Sequence, residues 1–312
     1  RSTFSSWSLM RTVLVLTGPT GAGKSRLAEQ LAAELPLEIV SCDSAQVYRG
    51  LDIGTAKPVP GIRAAIPHHL IDIREPEQSY SAGEFVADVA ATLPAIFARE
   101  RLPVIVGGTM LYLRALVRGL ADMPRASAAV RAAIDAEAAM SGWPAMHAAL
   151  AQVDPTAAAR IQPTDPQRIQ RALEVYRSTG KPISELQSQT KPTLPYVFIR
   201  IAVSPASREA LHWRIEQRFL AMLRVGLLDE VARLRARGNL TSRHASIRSV
   251  GYRQLWAHLD GEVELDAAVS MAVAATRQLA KRQLTWLRSD QGTVWLDPAD
   301  SQTIGVLRGY AT

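Results

Sequence analysis

Residues 12–35 read TVLVLTGPTGAGKSRLAEQLAAEL, and this stretch decides the fold. The run 12–17 is short and rich in Val, Leu and Thr, as a buried strand requires. Gly18–Ser25 then fits G-x-x-x-x-G-K-[ST], a loop whose backbone N–H groups cradle phosphates. Behind it, Leu27, Ala28, Leu31, Ala32 and Leu35 recur at helical spacing, and Pro36 marks the helix end. A chance glycine-rich turn would not come with both neighbours in order. Gly18, Pro19, Thr20, Gly21, Ala22, Gly23, Lys24 and Ser25 are therefore expected to hold a diphosphate or a nucleotide. The N–H groups and the helix N-terminus supply partial positive charge. Lys24 reaches phosphate oxygens, and the Ser25 hydroxyl can take Mg2+. The motif specifies a phosphate chain and leaves open what the chain is attached to.

Outward from the loop, LEIV (37–40) reads as a second strand ending at Cys42-Asp43, and HLIDI (69–73) as a third. Residues 81–100 read as a helix and PVIV (103–106) as a fourth strand, followed by Gly107-Gly108-Thr109. Strands alternating with helices imply a parallel sheet with both faces covered and ligands beyond the carboxyl ends of its strands. The loop 18–25, Asp43 and Gly107–Thr109 all fall at such ends. Alanine-rich helical stretches (126–140, 145–152, 165–179) then replace strands, YVFIRIAV (196–203) resumes the sheet, and 206–290 is helical and basic. The expected fold is α/β: a P-loop parallel-sheet core over 11–119 and 196–312, a helical insertion domain over 120–195, and a helical basic C-terminal part.

The 312 residues, 47% hydrophobic, suffice for a substantial core. No run of about 18 apolar residues predicts a transmembrane helix. The single cysteine, Cys42, excludes an intramolecular disulfide and fits a reducing, cytoplasmic setting. The leader RSTFSSWSL has no secretory pattern, and Met10 reads as a natural start. The net charge is +7, with thirty-one arginines and five lysines. Between residues 200 and 290, fourteen Arg and one Lys face nine acids. This balance points to polyanionic partners, nucleic acid first.

Three residue groups refine the reading. An ATPase needs an apolar strand ending in Asp to organise Mg2+ and water. The best apolar strand here ends in Gly107-Gly108, and Asp72 in LIDIR is a weaker candidate. Asp43, after the second strand, can bind Mg2+, act as a general base, or cap a helix. His68-His69 lack an acidic or cysteine cluster at ligand spacing and read as a loop pair before a strand.

DSAQVYRG (43–50) with DIGTAKP (52–58) resembles the signature of the tRNA dimethylallyltransferase family. So do YSA (80–82), GGTMLY (107–112), QRIQRALE (167–174), RSVGYRQ (248–254) and KRQLTWLR (281–288). The resemblance runs in order over about residues 11–290. It implies transfer of a dimethylallyl group from dimethylallyl diphosphate to the exocyclic N6 amine of the adenine 3′ of a tRNA anticodon. The P-loop then holds the leaving diphosphate, with Mg2+. Asp43 matches the family's base, and Lys24 and Thr109 complete the catalytic set.

Adenine extruded from the RNA stack is read by a protein pocket. Ser44, Ala45 and Gln46 are implied to contact it. Thr109 matches a tRNA-contact position, although by sequence it equally caps the helix that follows. Arg131, Gln167, Arg168 and Arg171 in the insertion, and Arg248, Gly251, Tyr252, Arg253, Lys281, Arg282, Trp286 and Arg288 after it, are the remaining implied tRNA contacts. Cations mixed with an aromatic suit single-stranded RNA loops. The expected partners are thus a tRNA anticodon loop and dimethylallyl diphosphate, with no membrane, and the protein is expected to be a monomer. A P-loop small-molecule or nucleotide kinase using Asp43 as base is the alternative, and an RNA-binding protein with a regulatory nucleotide site is the third reading.

Overall fold

The computed structural model describes residues 11–121, 123, 127–188 and 194–311. The leader, Met10 and the start of the 126–140 helix lie outside them. In chain order the elements begin with β1 (Thr12–Thr17), α1 (Lys24–Ala32), β2 (Leu37–Ser41) and α2 (Pro60–Ala65). Then come β3 (His68–His69), α3 (Ala82–Ala98), β4 (Leu102–Val106) and α4 (Met110–Arg118). Five helices follow: α5 (Ala128–Ser141), α6 (Trp143–Val153), α7 (Pro155–Ala158), α8 (Pro166–Thr179) and α9 (Ile183–Ser188). The chain continues with β5 (Val197–Val203), α10 (Arg208–Arg224), α11 (Leu227–Ala236), α12 (Tyr252–Leu259), α13 (Leu265–Arg288), β6 (Val294–Leu296) and α14 (Thr303–Ala311). Contacts divide the chain into one unit of Arg1–Arg114 with Leu194–Thr312 and another of Ala115–Thr193.

In the first unit the strands run in the order β3-β2-β4-β1-β5-β6, and every pairing is parallel. β1 is buried along Val13–Thr17, as a strand covered on both faces must be. Leu14, Leu16, Leu37, Ile39, Val104, Val106, Ile201 and Val203 pack with Leu27, Ala28 and Leu31 of α1. Each of the Leu, Ile and Val side chains contributes about 2 kcal/mol on burial. Because the sheet is parallel, the loops after β1, β2 and β4 emerge on one edge.

Two local outcomes differ from the sequence expectation, and one helix matches it. The ladder of β3 stops at His69, because Leu70 (φ 61°) and Asp72 (φ 58°) turn left-handed. Asp72 leaves the sheet and pairs with Lys57 and Arg63, at 2.6 and 2.7 Å. His68 and His69 are therefore strand residues rather than a loop pair, and His69 Nε2 bonds to buried Glu38 at 2.6 Å. The tail beyond residue 290, past the reach of the family resemblance, adds β6 to the sheet edge and packs α14 against α1, with Leu307 fully buried. The helix expected over 81–100 spans Ala82–Ala98, started by a capping box between Ser81 and Glu84.

The second unit is helical around Ile134, Met146, Leu150, Ile169, Leu173 and Val175. Ser127, Asp154 and Asp165 cap α5, α7 and α8 by accepting a backbone N–H. Buried Glu174 accepts from the Ser127 N–H and pairs with Arg131 and Arg171, at 3.4 and 3.1 Å.

Candidate active site

The loop after β1 has the backbone its glycines require. A Cβ on Gly18 (φ 144°) would lie 2.1 Å from the Val203 carbonyl oxygen, so no larger residue fits. The Ala22 N–H closes the turn on the Pro19 carbonyl at 3.2 Å. Lys24 Nζ donates to the Gly18 and Pro19 carbonyls, at 3.1 and 2.9 Å. Burial, followed by the Arg218 cation, holds the Lys24 ammonium down at about 8, against the pull of Asp43 and Cys42. The Ser25 hydroxyl stands at the first turn of α1, on its exposed side.

Two side chains brace this loop from afar. The carboxamide of Gln283, on α13, accepts the Thr20 N–H at 2.9 Å and donates to the Gly108 carbonyl at 2.7 Å. Arg218, on α10, donates to the Thr20 hydroxyl at 3.3 Å, its pKa lowered by burial with Asp43 countering. Sequence reasoning singled out neither. The signal for Arg218 was its place on the stripe with Leu211, Ile215 and Met222, all buried, where a cation is out of pattern. The signal for Gln283 was a lone amide beside Ala280 and Leu287 on the buried face of α13.

Opposite the loop, Asp43 follows β2. Its Oδ1 accepts the Ala45 and Gln46 N–H groups at 2.8 and 3.4 Å, an Asx turn. Among the described residues, Oδ2 accepts no hydrogen bond. Thr109 secures this turn: its hydroxyl accepts the Ser44 N–H at 2.9 Å and donates to the Ser44 hydroxyl at 3.3 Å. The Thr109 side chain thus spans from the end of β4 to the end of β2, and its carbonyl, not its hydroxyl, meets the Tyr112 and Leu113 N–H groups of α4. The close approach of these ends needs Gly107, where a Cβ would sit 2.1 Å from the Cys42 carbonyl oxygen.

One cavity of about 120 Å3 joins these parts. Thr20, Lys24, Ser25 and Arg218 line its polar end with Asp43, and Ile39, Ala56, Pro58 and Val106 give it aliphatic walls. Gln46 also lines it, with its carboxamide already engaged. It accepts from the Ser41 hydroxyl at 2.8 Å and donates to the Thr55 and Ala56 carbonyls. Gln46 therefore fixes the wall segment 55–56. The Ser25 hydroxyl, on the phosphate loop, is the oxygen donor suited to a hard cation bound jointly with substrate phosphates. Asp72, the other acidic candidate, is held by Lys57 and Arg63 and does not line this cavity.

The expected tRNA contacts fall into distinct settings. Lys281, Arg282 and Arg288 are exposed on α13, Trp286 is half-buried there, and Arg248 and Arg253 are exposed around the start of α12. Gly251 and Tyr252 are buried. The Tyr252 hydroxyl donates to Glu230 Oε1 at 2.6 Å, and Glu230 accepts the N–H groups of Asp52, Ile53 and Gly54 at 3.0, 2.8 and 3.2 Å. Fully buried, Tyr252 has no surface for RNA, which corrects the expectation; it buttresses the 52–54 loop. In the second unit Gln167 and Arg168 are exposed, and Arg168 pairs with Asp165 at 3.4 Å.

Comparison with known proteins agrees with this geometry. The IPP transferase family model matches residues 46–290. The tRNA dimethylallyltransferase of Thiobacillus denitrificans is 55% identical over 282 residues, covering 90% of each chain. That of Ralstonia nicotianae is 56% identical over 281 residues, covering 88% of this chain and 87% of the relative. The crystal structure of the tRNA isopentenylpyrophosphate transferase of Bacillus halodurans is 35% identical, with 96% and 97% coverage and a TM-score of 0.69. A eukaryotic dimethylallyltransferase acting on tRNA is 28% identical, with a TM-score of 0.80 over 96% of this chain and 77% of that one. The chain belongs to the tRNA dimethylallyltransferase (IPP transferase) family.

Proposed function

We propose that this protein transfers a dimethylallyl group from dimethylallyl diphosphate to the N6 amine of the adenine 3′ of a tRNA anticodon. The observation that carries the reading is the shared cavity. A phosphate cradle, an acceptor-only carboxylate and aliphatic walls meet there, and a five-carbon diphosphate offers a matching partner for each.

In this reading the diphosphate lies on Gly18–Ser25. Lys24 exchanges its two carbonyl partners for phosphate oxygens, and Arg218 adds a second cation beside Thr20. When the donor C1–O bond breaks, the electron pair stays on the diphosphate oxygen. With the donor seated, charge grows on oxygens faced by the cradle N–H groups, Lys24 and Arg218, and these donors stabilise the transition state. Ser25 is the residue that would hold a Mg2+ ion accompanying the diphosphate, and the ion would neutralise part of that charge.

The adenine N6 lone pair, delocalised into the ring, is a weak nucleophile. As the N6–C1 bond forms, Asp43 Oδ2 takes the N6 proton while Oδ1 stays in the Asx turn. Thr109 acts through Ser44 to hold the carboxylate in place. Ser44 and Ala45 meet the extruded base. Arg248, Arg253, Lys281, Arg282 and Arg288 meet RNA phosphates, and Trp286 offers a stacking surface. Arg131, Gln167, Arg168 and Arg171 give the insertion, read as residues 120–195, its own phosphate contacts. The protein acts as a monomer in the cytoplasm, away from membranes; among the described residues no helix is long and apolar enough to cross one.

The test is direct. Purified protein is incubated with Mg2+, labelled dimethylallyl diphosphate and unmodified tRNA carrying adenines 3′ of its anticodon. Label entering the tRNA supports the reading. No label in tRNA while ATP is consumed returns the kinase.

A further inference from the structure

The aliphatic part of the cavity ends in a defined layer. In the sheet register Ser41 lies beside Val106, and Ile39, two residues earlier on β2, pairs with His68 on β3. Two strand residues span about 6.6 Å. On α1, which runs antiparallel to these strands, Ser25 and Glu29 are one helical turn apart, about 6 Å along the axis. Ser25, Ser41 and Val106 therefore form an upper layer at the phosphate loop. Glu29, Ile39 and His68 form the next layer down, and all six line the same cavity.

We propose that His68, with Ile39 and Glu29, is the floor of the donor pocket and sets the length of prenyl chain that the enzyme accepts. The inference rests on the reading of the cavity as a prenyl diphosphate site. A diphosphate seated on the loop directs its allylic chain down the aliphatic wall, and the five-carbon group is spent when it reaches this layer. A ten-carbon chain of the same chemistry must pass through it.

The floor is fixed. His68 Nδ1 contacts the Ile66 carbonyl at 2.7 Å, which makes Nδ1 the protonated nitrogen and orients the ring. The Ile39 N–H donates to the Pro67 carbonyl at 2.9 Å, so the backbone beneath the ring is tied into the sheet. Burial lowers the His68 pKa, with Arg63 and His69 adding to the effect and the Ile66 carbonyl opposing it. A neutral ring closes the pocket without placing a cation beside a donor carbon that gains positive charge as its C–O bond breaks.

The experiment measures kcat/KM for dimethylallyl and for geranyl diphosphate with one unmodified tRNA, in the wild type and in His68→Ala. Discrimination by hydrocarbon packing runs at roughly 10- to 200-fold for a single methylene. The wild type should strongly prefer the five-carbon donor. In His68→Ala the ratio should fall at least about tenfold, through a gain in geranyl transfer. His68→Trp should do the reverse, raising the KM for dimethylallyl diphosphate while the Kd for tRNA stays at the wild-type value. A His68 that only supports the fold would lower both donors together and leave the ratio unchanged, which would overturn the proposal. If His68→Ala does not fold, by thermal melting and tRNA binding, Glu29→Ala opens the same layer from α1 and the same ratio decides. Failure of the wild type to prenylate tRNA with any donor sinks the parent reading instead. A wild type that prenylates, with a ratio insensitive to these variants, sinks the floor alone.

Discussion

The Gln283 carboxamide accepts the Thr20 N–H at 2.9 Å and donates to the Gly108 carbonyl at 2.7 Å, so one side chain of α13 clamps two strand-end loops. A Cβ on Gly108 would come within 2.6 Å of Gln283 Nε2, which leaves that residue no room to be anything but glycine without displacing the clamp. On the same helix, Lys281 and Arg282 face outward. The segment read as an RNA contact is thereby joined to the loop read as the donor cradle.

Gln283→Leu keeps the side-chain volume and removes both hydrogen bonds. Each buried backbone group left without a partner costs about 1–3 kcal/mol. The KM for dimethylallyl diphosphate should rise at least about fivefold, with the Kd for tRNA within about twofold of wild type. Gln283→Glu retains the acceptor for Thr20 and should fall between. An unchanged donor KM in Gln283→Leu would show that the loop holds its shape without the clamp.

Asp43 holds the Asx turn through Oδ1 and is proposed as the base through Oδ2, and the two roles separate by substitution. Asp43→Asn keeps an acceptor for the Ala45 and Gln46 N–H groups and loses the base. Single-turnover transfer should fall by about 10²–10⁴, with donor and tRNA binding near the wild-type level. Asp43→Ala loses the Asx turn as well and should weaken binding of both substrates further. Turnover by Asp43→Asn at the wild-type rate would remove Asp43 from the chemistry.

Much of this was legible in the sequence because it is local. The P-loop is a strand, a glycine-rich turn and a helix in one contiguous run, and the glycine spacing is dictated by backbone geometry that any reader of the pattern can test. Asp43 was found because it follows a strand. Thr109 and Gln46 were found as positions without their partners: their hydrogen bonds cross from one strand end to another. Arg218 and Gln283 lie 193 and 258 residues beyond Ser25 in a basic, helical region where many cations and amides look alike. Only the packing of α10 and α13 selects them. Tyr252 was misread for the complementary reason. An aromatic flanked by arginines looks like a stacking platform, and only Glu230, twenty-two residues earlier, turns it inward.

That correction has its own test. Tyr252→Phe removes the hydroxyl from buried Glu230 and leaves the ring. The loss should be about 1–2 kcal/mol, a drop of roughly 2–5 °C in Tm for a domain of this size. The Kd for tRNA should stay within about twofold. A weakening of tRNA binding beyond about tenfold, with Tm unchanged, would restore Tyr252 as an RNA contact.

Glu38 supplies a pH dependence. Its buried carboxylate is held down at about 2, first by hydrogen bonds from Arg99, then by His69, against burial. The folded-state value lies below the unfolded one, so the stabilisation is fully present above about pH 4.5 and is lost as pH falls toward 2. The window is worth about 3 kcal/mol at 1.36 kcal/mol per pH unit. Urea unfolding between pH 6 and 3 should show this slope in the wild type and a shallower one in Glu38→Gln. Equal slopes would place the acid sensitivity elsewhere.

Binding of RNA by exposed cations predicts a salt signature that hydrophobic contact lacks. Each phosphate neutralised by Lys or Arg releases counterions, and log Kobs for tRNA should fall linearly with log salt, by about 0.7–0.9 per contact. Lys281 and Arg282 are exposed on α13 and, among the described residues, have no acidic partner to lose, so replacing them disturbs little else. Lys281→Ala and Arg282→Ala should each reduce the salt slope by about one while leaving donor KM in place. The effect should be the same on any tRNA, because phosphate contacts carry no base information. Trp286→Ala should weaken binding with the slope retained, since stacking releases no counterions. If both cation variants keep the wild-type slope, this face of α13 does not meet the RNA backbone, and the polyanion contact must be sought at Arg248 and Arg253 around α12 and at Arg131, Arg168 and Arg171.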